Sequence, residues 1–362
     1  MSLSPFTQRP VSGRTLGEYL TDIWATACET LGAAAEQRHH ATRELQRLLP
    51  DWADDRIEAA PRETSYVADD GFPAEVSANW SGPHPELRML FDCLSDVPPR
   101  IGASDPRWNL WSGSSMFTSI SPLFRQPPAA PLWHSMAWRA PDPPAHKVYF
   151  GLYGWPVARR YAIVEQAMQL MGLERAWAHA RHRIENGARY GSREIEFVGL
   201  DIGDSSVARV KIYYRHQDVD IAELNRVASV ALQHDEGRAL SAYRMLTAGR
   251  DHAGAAPLTC LAFRSGHQQA VQATTYLRMP SLTTCEQESV ERTAALLGSE
   301  GVPPQRFVAL TDAFAPRRAD GGRGVLELVS HRAGRSGDVT TYFRFPTFAQ
   351  QSAVPVATAH RA

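Results

Sequence analysis

Apolar positions along the chain switch between two spacings, and the switch repeats. From Thr15 to about Leu31, Leu16, Leu20, Ile23, Trp24, Ala27 and Leu31 recur at helical intervals, and a second helical stretch runs from about Glu36 to Leu49. A polar, proline-containing connection (50–72) leads to two extended runs, Pro73–Trp80 and Glu86–Phe91, on either side of a turn. Residues 95–130, rich in Pro, Ser and Gly, are expected to hold at most short helices. Extended runs return at Leu132–Arg139 and Lys147–Leu152. A helical stretch follows over Trp155–Ile184, broken near Gly172, then a hairpin over 195–215 turning at Gly203, Asp204, Ser205 and Ser206. Ile221–Thr247 is helical with a break around His234, and Leu258–Phe263 and Gln272–Met279 are extended. The last set is a helical pair, Glu286–Leu297 and Pro304–Phe314, and a strand pair, Val325–His331 and Val339–Phe345. Residues 1–12 read as a loose arm, and the tail after Pro346 as disordered or packed on an edge.

The spacing between corresponding positions is nearly constant. Lys147 to Lys211 is 64 residues, Lys211 to Tyr276 is 65, Tyr276 to Tyr342 is 66, and Arg88 to Lys147 is 59. Such a period marks a repeat architecture, here five copies of helix–helix–strand–strand. Ten antiparallel strands flanked by five helical pairs lose every sheet edge by closing into a barrel, and ten strands leave a lumen wide enough for ligands. The expected fold is therefore α+β, a ten-stranded antiparallel barrel surrounded by helices. It makes one domain of residues 1–362, with the repeats over about 13–346.

Composition narrows the partners. With 43% hydrophobic and 21% charged residues and a formal net charge of −1, the chain is an ordinary globular sequence with no global attraction to nucleic acid or an anionic membrane. Cys28, Cys93, Cys260 and Cys285 show no metal-ligand or disulfide spacing. The N-terminus lacks a basic segment followed by an apolar run, and no stretch of eighteen apolar residues occurs, so a cytoplasmic location is expected.

The candidate chemistry lies on the second strand of each pair. Alternation puts Arg209, Lys211 and Tyr213 on one face of a strand, and the same spacing recurs with Arg88, with Lys147 and Tyr149, with Tyr276 and Arg278, and with Tyr342. Any one such set alone is an ordinary solvated strand face. Recurring in register, the sets form a cationic ring inside the barrel, and a diphosphate supplies the charge and acceptor oxygens to satisfy it. The tyrosines add hydroxyls for phosphate oxygens and ring faces for a carbocation. On the first strand, Glu75 alternates with Ser77 and Asn79 against Val76, Ala78 and Trp80. If that polar face is the lumen, Glu75 is a carboxylate placed to accept a hydrogen bond from an aromatic N–H. His134 is the single polar group in the row Leu132, Met136, Trp138. It is a candidate for the proton lost on rearomatisation, and equally a packed structural histidine.

These stretches resemble the aromatic prenyltransferases of the dimethylallyltryptophan synthase type, the ABBA fold, and their bacterial indole branch in particular. The resemblance rests on Phe-Pro-Ala-Glu-Val-Ser at 72–77 with Glu-Leu-Arg-Met-Leu at 86–90, and on His-Lys-Val-Tyr-Phe at 146–150. It rests further on Phe-Val-Gly-Leu-Asp-Ile-Gly at 197–203 with Ala-Arg-Val-Lys-Ile-Tyr at 208–213, and it spans roughly residues 15–345. It implies that Glu75 binds the indole N–H and that Arg88, Lys147, Arg209 and Lys211, with Arg278 added, bind diphosphate. It further implies that Tyr149, Tyr213, Tyr276 and Tyr342 shield the allylic cation and that His134 falls near the base, a lysine in many fungal members. The implied reaction moves a dimethylallyl or longer group from an allylic diphosphate to the indole of tryptophan or a tryptophan-derived compound, in secondary metabolism. Neither an obligatory metal nor a further cofactor is implied. Small molecules are the expected partners, with no nucleic acid or membrane, and the protein is expected as a monomer or homodimer.

Three other readings compete. The same fold could prenylate a tyrosine or a phenolic. A non-catalytic barrel could bind small anions, although such a module gains nothing from a carboxylate at Glu75. Residues Asp54, Asp55 and Glu58 superficially resemble an aspartate-rich diphosphate–Mg²⁺ motif, but they stand alone beside Pro50 and Pro61 and read as a solvated acidic turn.

Overall fold

The computed structural model describes residues 13–58, 60–94, 105–126, 130–186, 192–203, 208–314, 324–334, 337–345 and 347–348. The expected arm at 1–12, the turn at Asp204–Ser206 and Pro346 lie outside them. The first repeat comprises α1 (Leu16–Thr30), α2 (Ala35–Leu48), β1 (Ala74–Asn79) and β2 (Glu86–Asp92). The second is α3 (Pro106–Ser112), α4 (Ser115–Phe124), β3 (Leu132–Trp138) and β4 (Ala145–Gly151). The third is α5 (Val157–Leu170), α6 (Glu174–Glu185), β5 (Ser192–Ile202) and β6 (Val210–Gln217). The fourth is α7 (Ile221–Ala228), α8 (Glu236–Thr247), β7 (Leu258–Phe263) and β8 (Gln272–Arg278). The fifth is α9 (Glu286–Ser299), α10 (Gln305–Phe314), β9 (Leu326–Arg332) and β10 (Asp338–Phe343).

Local chemistry fixes where the helices begin. Thr15 and Glu18 form a reciprocal capping box at α1, and Asp220 and Asp235 cap α7 and α8 through their side chains. The Pro/Ser-rich second repeat follows the same logic. Asp105 caps α3 with Pro106 in its first turn, and Ser114 caps α4, so part of the loop-like composition serves as helix starts. That is how a stretch expected to hold at most short helices carries the same helical pair as its neighbours, here of seven and ten residues.

All ten strands form one closed barrel, in the order β1-β10-β9-β8-β7-β6-β5-β4-β3-β2. Every pair is antiparallel, and the seam closes where β1 meets β10, with Val76 opposite Phe343 and Ser77 opposite Tyr342. The apolar face of the strands points outward under the helices: Val76 and Ala78 on β1 with Trp80 just beyond its end, Leu132, Met136 and Trp138 on β3, and Val210, Ile212 and Tyr214 on β6 are all buried there. The Val, Leu, Ile and Met side chains among them each contribute roughly 1.5–3 kcal/mol by leaving water, and the Ala78 methyl less. The core thus lies between barrel and helices, and the polar strand face is left to line the lumen.

Candidate active site

The lumen is built by a division of labour between strands. The second strand of each pair carries long functional side chains. The first carries a small residue opposite them: Ser77 faces Arg88 and Tyr342, Ser135 faces Lys147, and Gly199 faces Tyr149 and Lys211. Cys260 faces Tyr213, and Ser330 faces Tyr276. Space for a ligand comes from the first set and chemistry from the second. Gly199 shows how tight the fit is, because a Cβ there would lie 2.9 Å from the Tyr149 ring.

Two cavities share this lumen. One, of about 350 Å³, is lined by six cationic side chains (Arg88, Arg139, Lys147, Arg209, Lys211, Arg332) against three carboxylates (Glu86, Asp201, Asp338), an excess of three positive charges. Arg209 and Lys211 share Asp201 at 2.7 and 3.3 Å, and Arg88 holds Glu86 at 2.6 Å. Burial alone would raise the Asp201 carboxyl, but Lys211, Lys147 and Arg209 outweigh it and hold it far below the usual range. Lys147 is buried and feels Asp201 and Glu86 at a distance, but no hydrogen bond or contact ion pair to it appears among the described residues. Burial, then Lys211 and Arg88, drive its ammonium well below the usual lysine range. Buried cations with spare donors in a carboxylate-poor chamber are a site for a multivalent anion.

The second cavity, of about 220 Å³, lies further along the lumen and shares Arg88, Lys147, Lys211, Tyr213, Tyr276 and Tyr342 with the first. Four tyrosines run in sequence around the boundary. Ring centroids are 6.1 Å apart from Tyr149 to Tyr213, 5.9 Å from Tyr213 to Tyr276 and 5.7 Å from Tyr276 to Tyr342. Burial raises the phenol pKa of all four, so the rings stay neutral. Glu75, half-buried, lines the second cavity. Burial and, after it, the Glu327 carboxylate push its pKa up to about 8. Trp133 and Phe197 supply an aromatic wall, edge to face at 5.4 Å, and Tyr66 stacks on Tyr153 at 5.0 Å among the other lining residues.

The structure therefore brings together nine of the expected residues: Glu75, Arg88, Lys147, Arg209, Lys211 and the four tyrosines. It moves two. Arg278 faces the lumen, but two residues beyond Tyr276 on β8, which takes it past the tyrosines into the second cavity. There it pairs with Asp69 and Glu327 and is not among the cations of the first. His134 does not face the lumen. Trp133 and Ser135 occupy that face of β3, so His134 points outward, fully buried, accepting a 2.8 Å hydrogen bond from Trp111 Nε1 and lying 3.2 Å from His146. Burial, then His146 and Arg107, keep it neutral. His134 lines neither cavity; its link to the lumen runs through His146, which lines the first cavity, so it is not placed to take a proton directly from an acceptor in the second. Asp55 and Glu58 of the aspartate-rich turn line a separate pocket beside α1, where Asp55 pairs with Arg62 at 2.6 Å.

Residues the sequence reading passed over complete the site: Asp201 and Glu86 in the first cavity, and Glu327, Glu196 and Arg215 in the second. Asp201 was open to discovery, since it stands opposite Lys147 on the hairpin's first strand.

A helix-wrapped, closed ten-stranded antiparallel barrel enclosing a cationic lumen is the architecture of the ABBA prenyltransferases, and the chain belongs to that class of fold. Its structural neighbours are more particular: they include bacterial dimethylallyltryptophan synthases. The 6-dimethylallyltryptophan synthase from Micromonospora olivasterospora, solved in complex with DMASPP and Trp, superposes with a TM-score of 0.81 at 26% identity, covering 93% of this chain and 99% of that one. The 5-dimethylallyltryptophan synthase from Streptomyces coelicolor has a TM-score of 0.78 at 21% identity, covering 93% and 96%. AnaPT from Neosartorya fischeri has a TM-score of 0.67 at 14% identity, covering 91% and 94%. No family model matches the chain.

Proposed function

We propose that the chain is a metal-independent indole prenyltransferase. It transfers a dimethylallyl or longer group from an allylic diphosphate to tryptophan or a tryptophan-derived compound in secondary metabolism, acting as one cytoplasmic catalytic domain. The observation that carries this reading is the sequence of environments along one lumen: a cationic chamber, a belt of neutral tyrosines, then a half-buried carboxylate in an aromatic pocket. The neighbours solved with DMASPP and Trp support the same assignment of donor and acceptor.

In the donor chamber, Arg88, Lys147, Arg209 and Lys211 bind the diphosphate. They stabilise the charge that grows on it as the allylic C–O bond breaks and the electron pair leaves with oxygen. These cations do the work that a divalent ion would otherwise supply. The faces of Tyr149, Tyr213, Tyr276 and Tyr342 stabilise the allylic cation and exclude water that would quench it. Glu75 accepts a hydrogen bond from the indole N–H, holding the ring towards the belt and stabilising the positive charge that spreads onto nitrogen when a ring carbon attacks. Loss of the proton from that carbon restores aromaticity. With His134 outside, the basic groups at hand are the departing diphosphate and the carboxylates of the second cavity, Glu75, Glu196 and Glu327.

The test is incubation with tryptophan, indole-containing dipeptides and tyrosine, each with C5 and C10 diphosphates, read by mass spectrometry. A mass gain of one prenyl unit on an indole substrate is expected. Prenylation of tyrosine alone would replace the indole by a phenol, and donor binding without any product would leave an anion-binding barrel.

A further inference from the structure

Cys260 is a buried nucleophile that the prenyl-transfer mechanism does not use. It stands on β7 between β6 and β8, opposite Tyr213 on one side and Thr274 on the other. The rings of Tyr213 and Tyr276, from the two flanking strands, lie 5.9 Å apart. Among the described residues lining the two lumen cavities, Cys260 alone carries sulfur, and it lines the first. The other cysteines lie elsewhere, Cys28 and Cys93 in the outer core and Cys285 just before α9.

Two further observations put an anionic donor beside this sulfur. Lys211 stands opposite Ala262, two residues from Cys260 on the same face of β7. Lys147, 9% exposed, lines both cavities without a hydrogen bond or contact ion pair among the described residues, an unmet ammonium that marks where an anion belongs. Burial pushes the Cys260 thiol up to about 11, over the opposing pull of Lys211, a Tyr213 hydrogen bond and Arg209, so it stays S–H at neutral pH. Such a thiol is slow towards ordinary electrophiles, which need the thiolate. A carbocation asks less: a sulfur lone pair suffices, as a water lone pair does in quenching. Sulfur is also more polarizable than the oxygens of the neighbouring neutral phenols.

We propose that Cys260 is an internal prenyl acceptor, alkylated by the allylic cation when the second cavity holds no aromatic substrate. The allylic C–O bond breaks and its electron pair leaves with the diphosphate. A lone pair of the Cys260 sulfur then forms a C–S bond to the allylic carbon, and the S–H proton passes to the departing diphosphate. The thioether leaves a prenyl group fixed in the donor chamber, so a molecule that ionises donor without an acceptor closes its own site. An indole in the second cavity competes for the same cation and protects the protein. This rests on the prenyl-transfer reading above.

The experiment incubates the wild-type protein and Cys260→Ala with dimethylallyl diphosphate, with and without excess L-tryptophan, and follows intact mass, peptide maps and residual turnover. Dimethylallyl thiolodiphosphate, which resists ionisation, is the control ligand, and its binding reports folding of the variant. Without acceptor, the wild type is expected to gain one prenyl unit on Cys260 and to lose turnover in step. Tryptophan suppresses the gain, the thiolodiphosphate gives none, and Cys260→Ala gains none and keeps its own starting rate. A wild-type protein that prenylates tryptophan yet carries no adduct, or carries it on another residue, overturns the internal acceptor and leaves prenyl transfer standing; the peptide map decides this without the variant. Equal alkylation by the thiolodiphosphate overturns it too, because no cation is then involved. Absence of any prenylated indole from the wild type overturns the underlying reading instead.

Discussion

Glu75 offers the sharpest quantitative test. Burial and, after it, the Glu327 carboxylate push its pKa from an ordinary 4.5 up to about 8, which favours the neutral acid at neutral pH. A protonated carboxyl cannot offer the charged acceptor that an indole N–H needs, so the active form is the ionised one. At pH 7 about a tenth of the free enzyme carries it. The sign follows: kcat/KM rises about tenfold per pH unit on the acid side and levels off above about 8, because that parameter reports ionisation of the free enzyme. Glu327 is the second cause of the shift, after burial. Glu327→Gln should therefore move the break to lower pH without restoring an ordinary carboxylate, since burial, the larger cause, persists. Glu75→Gln removes the break altogether and lowers the plateau by about 10²-fold, near 2.7 kcal/mol, as expected for losing one charged contact to a developing cation. The assay is product formation from L-tryptophan between pH 6 and 9, with donor-analogue binding as the folding control. A wild-type profile flat across that range, or an unchanged break near 8 in Glu75→Gln, would refute the reasoning.

Lys211→Ala removes a cation from the donor chamber and leaves Asp201 with one partner fewer; calorimetry should show donor-analogue affinity falling by about tenfold or more. Gly199→Ala forces the Tyr149 ring aside, and the expected readout is more water-quenched prenyl alcohol per prenylated product. His134→Ala leaves the buried Trp111 N–H unpaired, so denaturant melts should show a loss of about 1–3 kcal/mol, with turnover of the folded fraction largely kept; abolished turnover at full stability would return His134 to the mechanism. Activity should survive EDTA, and a complete loss restored by Mg²⁺ would argue for the aspartate-rich turn.

Most of the architecture was legible because both periods are strong: helical and strand spacing alternate five times, and the outward face of the strands is mostly apolar. The level of a residue along the lumen was harder to read. Lys211 and Tyr276 were matched across repeats by a near-constant interval, yet the ring partner of Tyr276 on β6 is Tyr213. The same blindness to level put Arg278 with the diphosphate cations. His134 shows that parity must be read with register. Its apolar row was correctly seen, and the pairing of Ser135 with Lys147 is what assigns that row to the outside. Glu196 was beyond reach, because its orientation depends on a bulge that alternation does not register.

The seam between β1 and β10 has a consequence for biogenesis. Glu75 belongs to the first strand to be synthesised and Tyr342 to the last, and neither cavity has a complete wall until those two strands meet. Contacts so distant in sequence form late and slowly. A chain that ended before Asp338 would carry all six cations of the first cavity and yet leave the barrel open between β1 and β9, with Tyr342 missing from both cavities.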